Sequence, residues 1–60
     1  MSTRDTVEKL ERSAKSHVGV SCKANVGSDQ IEVISHMTAG FIRFTYKKNG
    51  VKTDKDTLCG

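Results

Sequence analysis

Phe41-Ile42-Arg43-Phe44-Thr45-Tyr46-Lys47-Lys48-Asn49-Gly50-Val51-Lys52-Thr53 is the stretch that decides the fold. Asn-Gly between two alternating runs is the strongest short hairpin signal in a sequence, because a type I′ turn needs positive φ at both central positions. A two-residue loop at Asn49-Gly50 sets the register: Lys48 faces Val51, Lys47 faces Lys52 and Tyr46 faces Thr53. A strand from Phe41 to Lys48 thus meets a short partner running from Val51 to about Asp54. Because strand side chains alternate, Ile42, Phe44 and Tyr46 share one face, and Phe41, Arg43, Thr45 and Lys47 share the other. The apolar trio is expected to pack under a helix.

Upstream, Thr38-Ala39-Gly40 separates this hairpin from a strand over Ile31 to Met37. Its phase is ambiguous, since Val33 and Ile34 are both apolar and one of them must face outward or sit at a bulge. A one-residue slip would exchange the two and carry His36 inward. Gly27-Ser28-Asp29 supplies turn chemistry before it. Further upstream Val18, Val20, Cys22, Ala24 and Val26 alternate with Gly19, Ser21, Lys23 and Asn25, the pattern of a strand with one face buried.

The chain opens with a helix. Ser2 or Thr3 can accept from the free N–H groups of the first turn, and Asp5 adds negative charge there. Arg4–Glu8, Asp5–Lys9, Glu8–Arg12 and Glu11–Lys15 are opposite charges at i,i+4, three of them with the acid on the favourable N-terminal side. The apolar stripe of Val7, Leu10 and Ala14, extended by Thr3 and His17, is narrow enough to lie on a sheet. The helix is expected to end near Ser16. The tail through Leu58 and Cys59 can fold back, its boundaries left open, and Asp54 and Asp56 read there as solvated near Lys52 and Lys55. The whole is one α+β domain over residues 1–60: an N-terminal helix packed on a small antiparallel sheet of three to four strands.

Sixty residues bury only about 60% of the surface the unfolded chain exposes. Homo-oligomerisation through a sheet edge is therefore an expectation for this chain. No segment reads as a membrane span or a signal peptide, so a cytoplasmic location is expected. Cys22 and Cys59 are too few for a disulfide framework. With His17 and His36 they invite a zinc reading, but no pair has the close ligand spacing of a structural site. Cys22 reads instead as a small buried hydrophobe. There is no phosphate-binding glycine loop, no cofactor motif and no nucleophile beside a base, so the chain reads as a binding protein without catalytic residues.

The feature with physical content is the polar face of the sheet. From Phe41 to Thr53 stand four basic residues and no acid. Lys47 faces Lys52, and like charges directly opposite one another are destabilising. Lys23, Phe41, Arg43, Lys47, Lys48 and Lys52 are the candidate partner-binding residues, with Ser21 and His36 extending the patch. Edge lysines also serve simply to discourage aggregation, a reading that needs no partner.

The net charge of +3 and pI of 9.1 lean basic without being extreme. Two functions remain. The first is a small regulator or inhibitor that binds a larger protein or nucleoprotein complex, in the manner of the many short proteins with which phages and mobile elements block host machinery. The alternative is a sequence-nonspecific nucleic-acid binder that sets its lysines and Arg43 against phosphates, with a steep salt dependence.

Overall fold

A computed structural model describes residues 3–59. The elements run α1 (Thr3–Ser16), β1 (Ser21–Val26), β2 (Asp29–Thr38), β3 (Phe41–Lys48), β4 (Val51–Thr53) and α2 (Lys55–Cys59). The strands form one antiparallel sheet in the order β1-β2-β3-β4. One face carries the helices and the other is uncovered. The α+β class and the helix-on-sheet architecture expected from sequence are what the chain adopts. The proposed Ser2 cap lies outside the described residues.

Three loops of two residues fix which side every strand residue faces. Gly27 stands first in the β1–β2 loop with φ 61°, the position a type II′ turn reserves for glycine. The β2–β3 loop, Ala39-Gly40, has φ of 49° and 82°, and the β3–β4 loop, Asn49-Gly50, has 53° and 82°. Both are the positive-φ pairs of type I′ turns. Asn49 is further tied to the start of β2. Its Oδ1 accepts from the Gln30 N–H at 2.9 Å, its Nδ2 donates to Asp29 at 3.0 Å, and its own N–H donates to the Gln30 carbonyl at 2.8 Å.

With these loops the phase of β2 is resolved. Ile31, Val33 and Ser35 face α1 and are buried, so Val33 points inward, Ile34 points outward, and His36 lies on the uncovered face. The ladder runs through both residues in continuous register, with no bulge. Val7, Leu10 and Ala14 of α1 meet Ile31 and Val33 to form the core. Ser35 is the one buried polar side chain among the described residues; its hydroxyl donates to the Ala14 carbonyl in the last turn of α1. The same carbonyl also accepts from the His17 N–H at 3.2 Å, the i→i−3 bond common at a helix end, so it serves the helix terminus and the sheet together.

Three expectations need correction. First, β1 begins at Ser21, not Val18. The Val20 N–H closes a turn on the His17 carbonyl at 3.1 Å with Gly19 at φ 87°, and Gly19 donates to Ser35. Val18 and Val20 are exposed members of that connection, so the alternation overruns the strand.

Second, Ile42, Phe44 and Tyr46 are only half-buried. A helix about 10 Å across covers two strands spaced about 4.8 Å apart. Here α1 lies over β1 and β2, leaving β3 to α2 and to polar contacts. Third, the tail, whose form and boundaries the sequence leaves open, folds back as the helix α2. Asp54 is its N-cap, its carboxylate accepting from the Thr57 N–H at 2.6 Å, which holds its pKa below the ordinary value. Leu58 is thereby buried in the core.

Among the described residues, Ala39 is the one position where a residue with a Cβ and no local polar side chain occupies left-handed space, which costs about 1–2 kcal/mol. Ala39→Gly is expected to raise stability by about 1 kcal/mol, read as a higher denaturant midpoint with unchanged slope.

Candidate nucleic-acid or protein interface

The uncovered face is built by parity. β1 contributes Ser21, Lys23 and Asn25; β2 contributes Gln30, Glu32, Ile34, His36 and Thr38; β3 contributes Phe41, Arg43, Thr45 and Lys47; β4 contributes Lys52. Cross-strand pairing arranges them in rows. The first row is Lys23–Glu32–Lys47–Lys52, spanning all four strands. The next is Ser21–Ile34–Thr45, followed by His36–Arg43 and then Thr38–Phe41 at the tip of the β2–β3 hairpin.

Of the six candidate residues, five share this face. Lys23, Arg43 and Lys52 are exposed, Lys47 is half-buried between its neighbours, and Phe41 is 73% exposed at the hairpin tip. Lys48 does not join them. It pairs with Ile31, so it has helix-side parity, and its ammonium lies 3.8 Å from Asp29.

Two features were missed from sequence. Glu32 stands in the middle of the lysine row, directly opposite Lys23 on one side and Lys47 on the other. Four cations on this face are thus interrupted by one carboxylate. Ile34 lies at the centre, half-buried, with the Thr45 hydroxyl beside it bonded to His36 Nε2 at 3.0 Å. Both follow from the phase of β2, which alternation around Val33-Ile34 left open.

Lys47 and Lys52 are a particularly close pair. Lys48 and Val51 flank a two-residue loop and exchange hydrogen bonds, so the next pair inward is the non-hydrogen-bonded kind, with Cα atoms about 4.5 Å apart. Nothing on β4 offers a compensating acid. An anion seated over this pair would relieve the repulsion.

The helix side has its own polar cluster. Glu11 accepts from the Tyr46 hydroxyl and from the Lys55 ammonium, the latter at 3.0 Å, and not from Lys15, its expected i,i+4 partner. Burial first, then the bond to Glu11, push the Tyr46 hydroxyl well above its ordinary pKa, and Glu11 also raises Lys55. Beside the cluster a groove of about 300 Å³ is lined by Glu8, Glu11, Arg12, Lys15, Phe44 and Lys55. It is open to solvent, and its deepest carboxylate is already engaged in joining α1, β3 and α2. The cluster therefore acts as a polar clasp over the strand that α1 leaves uncovered.

Among the described residues no three of His, Cys, Asp or Glu converge on a metal position, and both cysteines are free thiols. Among the described residues no helix is long and apolar enough to cross a membrane. Comparison with protein-family models, curated proteins and solved structures finds nothing that matches this chain.

Tyr46 is the single tyrosine, so its ionisation can be followed alone. A raised folded-state pKa means its contribution to stability is complete below the unfolded value of about 10 and is lost as pH rises beyond it. Absorbance at 295 nm is expected to stay flat through pH 10 and to rise only with loss of the fold. Tyr46→Phe is expected to cost about 1 kcal/mol, measured by denaturant unfolding at neutral pH.

Proposed function

We propose that this chain is a small non-enzymatic regulator or inhibitor that lays the uncovered face of its sheet on an acidic surface of a larger protein, alone or within a nucleoprotein complex. The observation that carries this reading is the placement of Glu32 and Ile34. A surface that tracks phosphates gains from unbroken positive charge, whereas a carboxylate in the middle of the row repels each phosphate that approaches it. An apolar centre with charged groups of both signs around it is the anatomy of a protein interface. Ile34 is that centre, and Lys23, Glu32, Arg43, Lys47 and Lys52 surround it.

Phe41 supports the same reading. Sheet platforms that bind single strands stack bases on several aromatic rings, and this face offers one, at its margin. A lone exposed aromatic at a hairpin tip suits insertion into a partner's pocket. The cations steer encounter with an acidic partner and set the register. The close Lys47–Lys52 pair is the natural seat for a partner carboxylate.

Lys52→Glu converts a repulsive cross-strand pair into an attractive one. It is expected to stabilise the isolated domain by about 0.5 kcal/mol in thermal or denaturant unfolding. The same change combined with Lys47→Glu is expected to abolish capture of the protein partner by tagged bait, with the circular dichroism spectrum unchanged. In parallel, fluorescence anisotropy with labelled single-stranded and duplex DNA and RNA should show no binding at physiological salt. Binding that persists there, with a log–log salt slope of about −3 for single strands and sensitivity to the lysine substitutions, would replace this reading with the nucleic-acid one.

A further inference from the structure

The outer edge of β1 is the longest unpaired edge of the sheet. At the opposite side β4 is three residues long, whereas β1 presents six, with no proline and with every Cα in regular register. Which of its backbone groups point outward follows from the hairpin loop. Val26 and Asp29 flank Gly27-Ser28 and bond each other, so Val26, Ala24 and Cys22 direct their N–H and C=O groups at β2. The bond from Gly19 N–H to the Ser35 carbonyl obeys the same parity on β2. Ser21, Lys23 and Asn25 therefore direct theirs outward, away from the sheet. Among the described residues no strand pairs with them.

We propose that this edge pairs with the same edge of a second copy, antiparallel about a twofold axis at Ala24, giving a dimer with one continuous eight-stranded sheet. Three observations select this partner and this register. Twofold pairing must match outward-directed residues with one another, which leaves few choices. Placing the axis at Lys23 sets Lys23 against the partner copy's own lysine, a direct like-charge opposition. Placing it at Cys22 pairs Asn25 with Gly19, which lies in the turn before the strand, so the strands overlap only in part.

With the axis at Ala24 the whole strand is used. Lys23 faces the second copy's Asn25, Cys22 faces its Val26, and Ser21 faces its Gly27. The outer face then carries polar pairs. The helix-side face carries small apolar ones, continuing the cluster to which Cys22, Ala24 and Val26 belong.

The helices fit the same arrangement. α1 packs across β1 and β2, so its axis stands about one strand spacing from the proposed twofold, and the two copies of α1 would run about 10 Å apart. That is the ordinary distance between packed helices. The flank of α1 turned toward β1, opposite the groove side that carries Glu8, Glu11, Arg12 and Lys15, is formed by Thr6, Lys9 and Ser13. The dimer also supplies what a chain of this length lacks, a larger shared core. Its joined outer face doubles the rows of cations, although the pairing itself does not rest on what that face binds.

The full chain should run in light scattering at about 13 kDa, twice its 6.6 kDa, and dissociate on dilution. Asn25→Lys sets lysine against lysine twice across the axis and should weaken the dimer at least about tenfold. Adding Lys23→Glu to it restores opposite charges in this register alone and should recover the dimer. In a Cys22→Ser, Cys59→Ser background, Ala24→Cys places two thiols in a non-hydrogen-bonded pair about 4.5 Å apart at Cα, within disulfide reach. Mild oxidation should then give a covalent dimer. A monomeric mass at millimolar concentration would overturn the proposal. So would a dimer indifferent to Asn25→Lys, or one that oxidises through native Cys22 but not through Ala24→Cys.

Discussion

Everything in this protein hangs on the inward face of β2, where Ile31, Val33 and Ser35 meet Val7, Leu10 and Ala14 of α1. These side chains are the fully buried centre of a chain whose other strands are only partly covered. Parity then propagates outward. Once Val33 is inside, the two-residue loops on either side of β2 leave no freedom in the facing of β1 or β3, and a slip by one residue would empty the core onto the solvent face. Ser35 belongs to this constraint as much as the apolar residues do. A hydroxyl buried without a partner would cost about 1–3 kcal/mol, and the Ala14 carbonyl is its partner. The same bond anchors the end of α1 over β2, so one contact aligns helix and sheet.

From that anchor the division of labour across the sheet follows. One helix can shield two strands, and α1 shields β1 and β2. β3 is held by different means: α2, and the clasp in which Glu11 takes hydrogen bonds from both Tyr46 and Lys55. This clasp makes the C-terminal segment part of the fold, since Lys55 and Leu58 reach the core and its margin only if Asp54 caps the turn that carries them. Both free edges of the sheet follow from the same economy. β4 is short because the chain leaves it to form α2, and β1 is bare because the chain enters it directly from the turn at Gly19.

Most of this was legible in the sequence, and the exceptions share a cause. The hairpin at Asn49-Gly50 and its three residue pairs, the buried stripe of α1 and its end at Ser16 were readable because each is set by local chemistry: positive φ, helical period, capping. The phase of β2 was not, since Val33 and Ile34 serve either face equally well as isolated residues and only the packing of α1 decides. With the phase went Glu32, whose position between Lys23 and Lys47 is a property of pairing across three strands. Residues 18–20 misled for a related reason, because valine at alternate positions looks like a strand until Gly19 turns the chain. The tail did carry a signal, Asp54 three residues before Thr57, the spacing of a helix cap, but no apolar period follows it to give that cap a helix to serve.

Stability draws on one side of the sheet and, in the proposed reading, recognition draws on the other; that separation would allow the uncovered face to carry features that folding alone would remove. A sheet face turned to water needs only polar and β-branched residues that pair well across strands. Thr45 and Ser21 meet that need. Lys47 opposite Lys52 does not, and neither does a phenylalanine left in water at the β2–β3 tip. Edge lysines that guard against aggregation would work as well if spread along the strand, without facing one another. A like-charged pair at the closest kind of cross-strand contact, an exposed aromatic and an apolar centre on one face are costs borne by a domain with little stability to spare. They are tolerated most simply where a partner's acidic and apolar groups complete them.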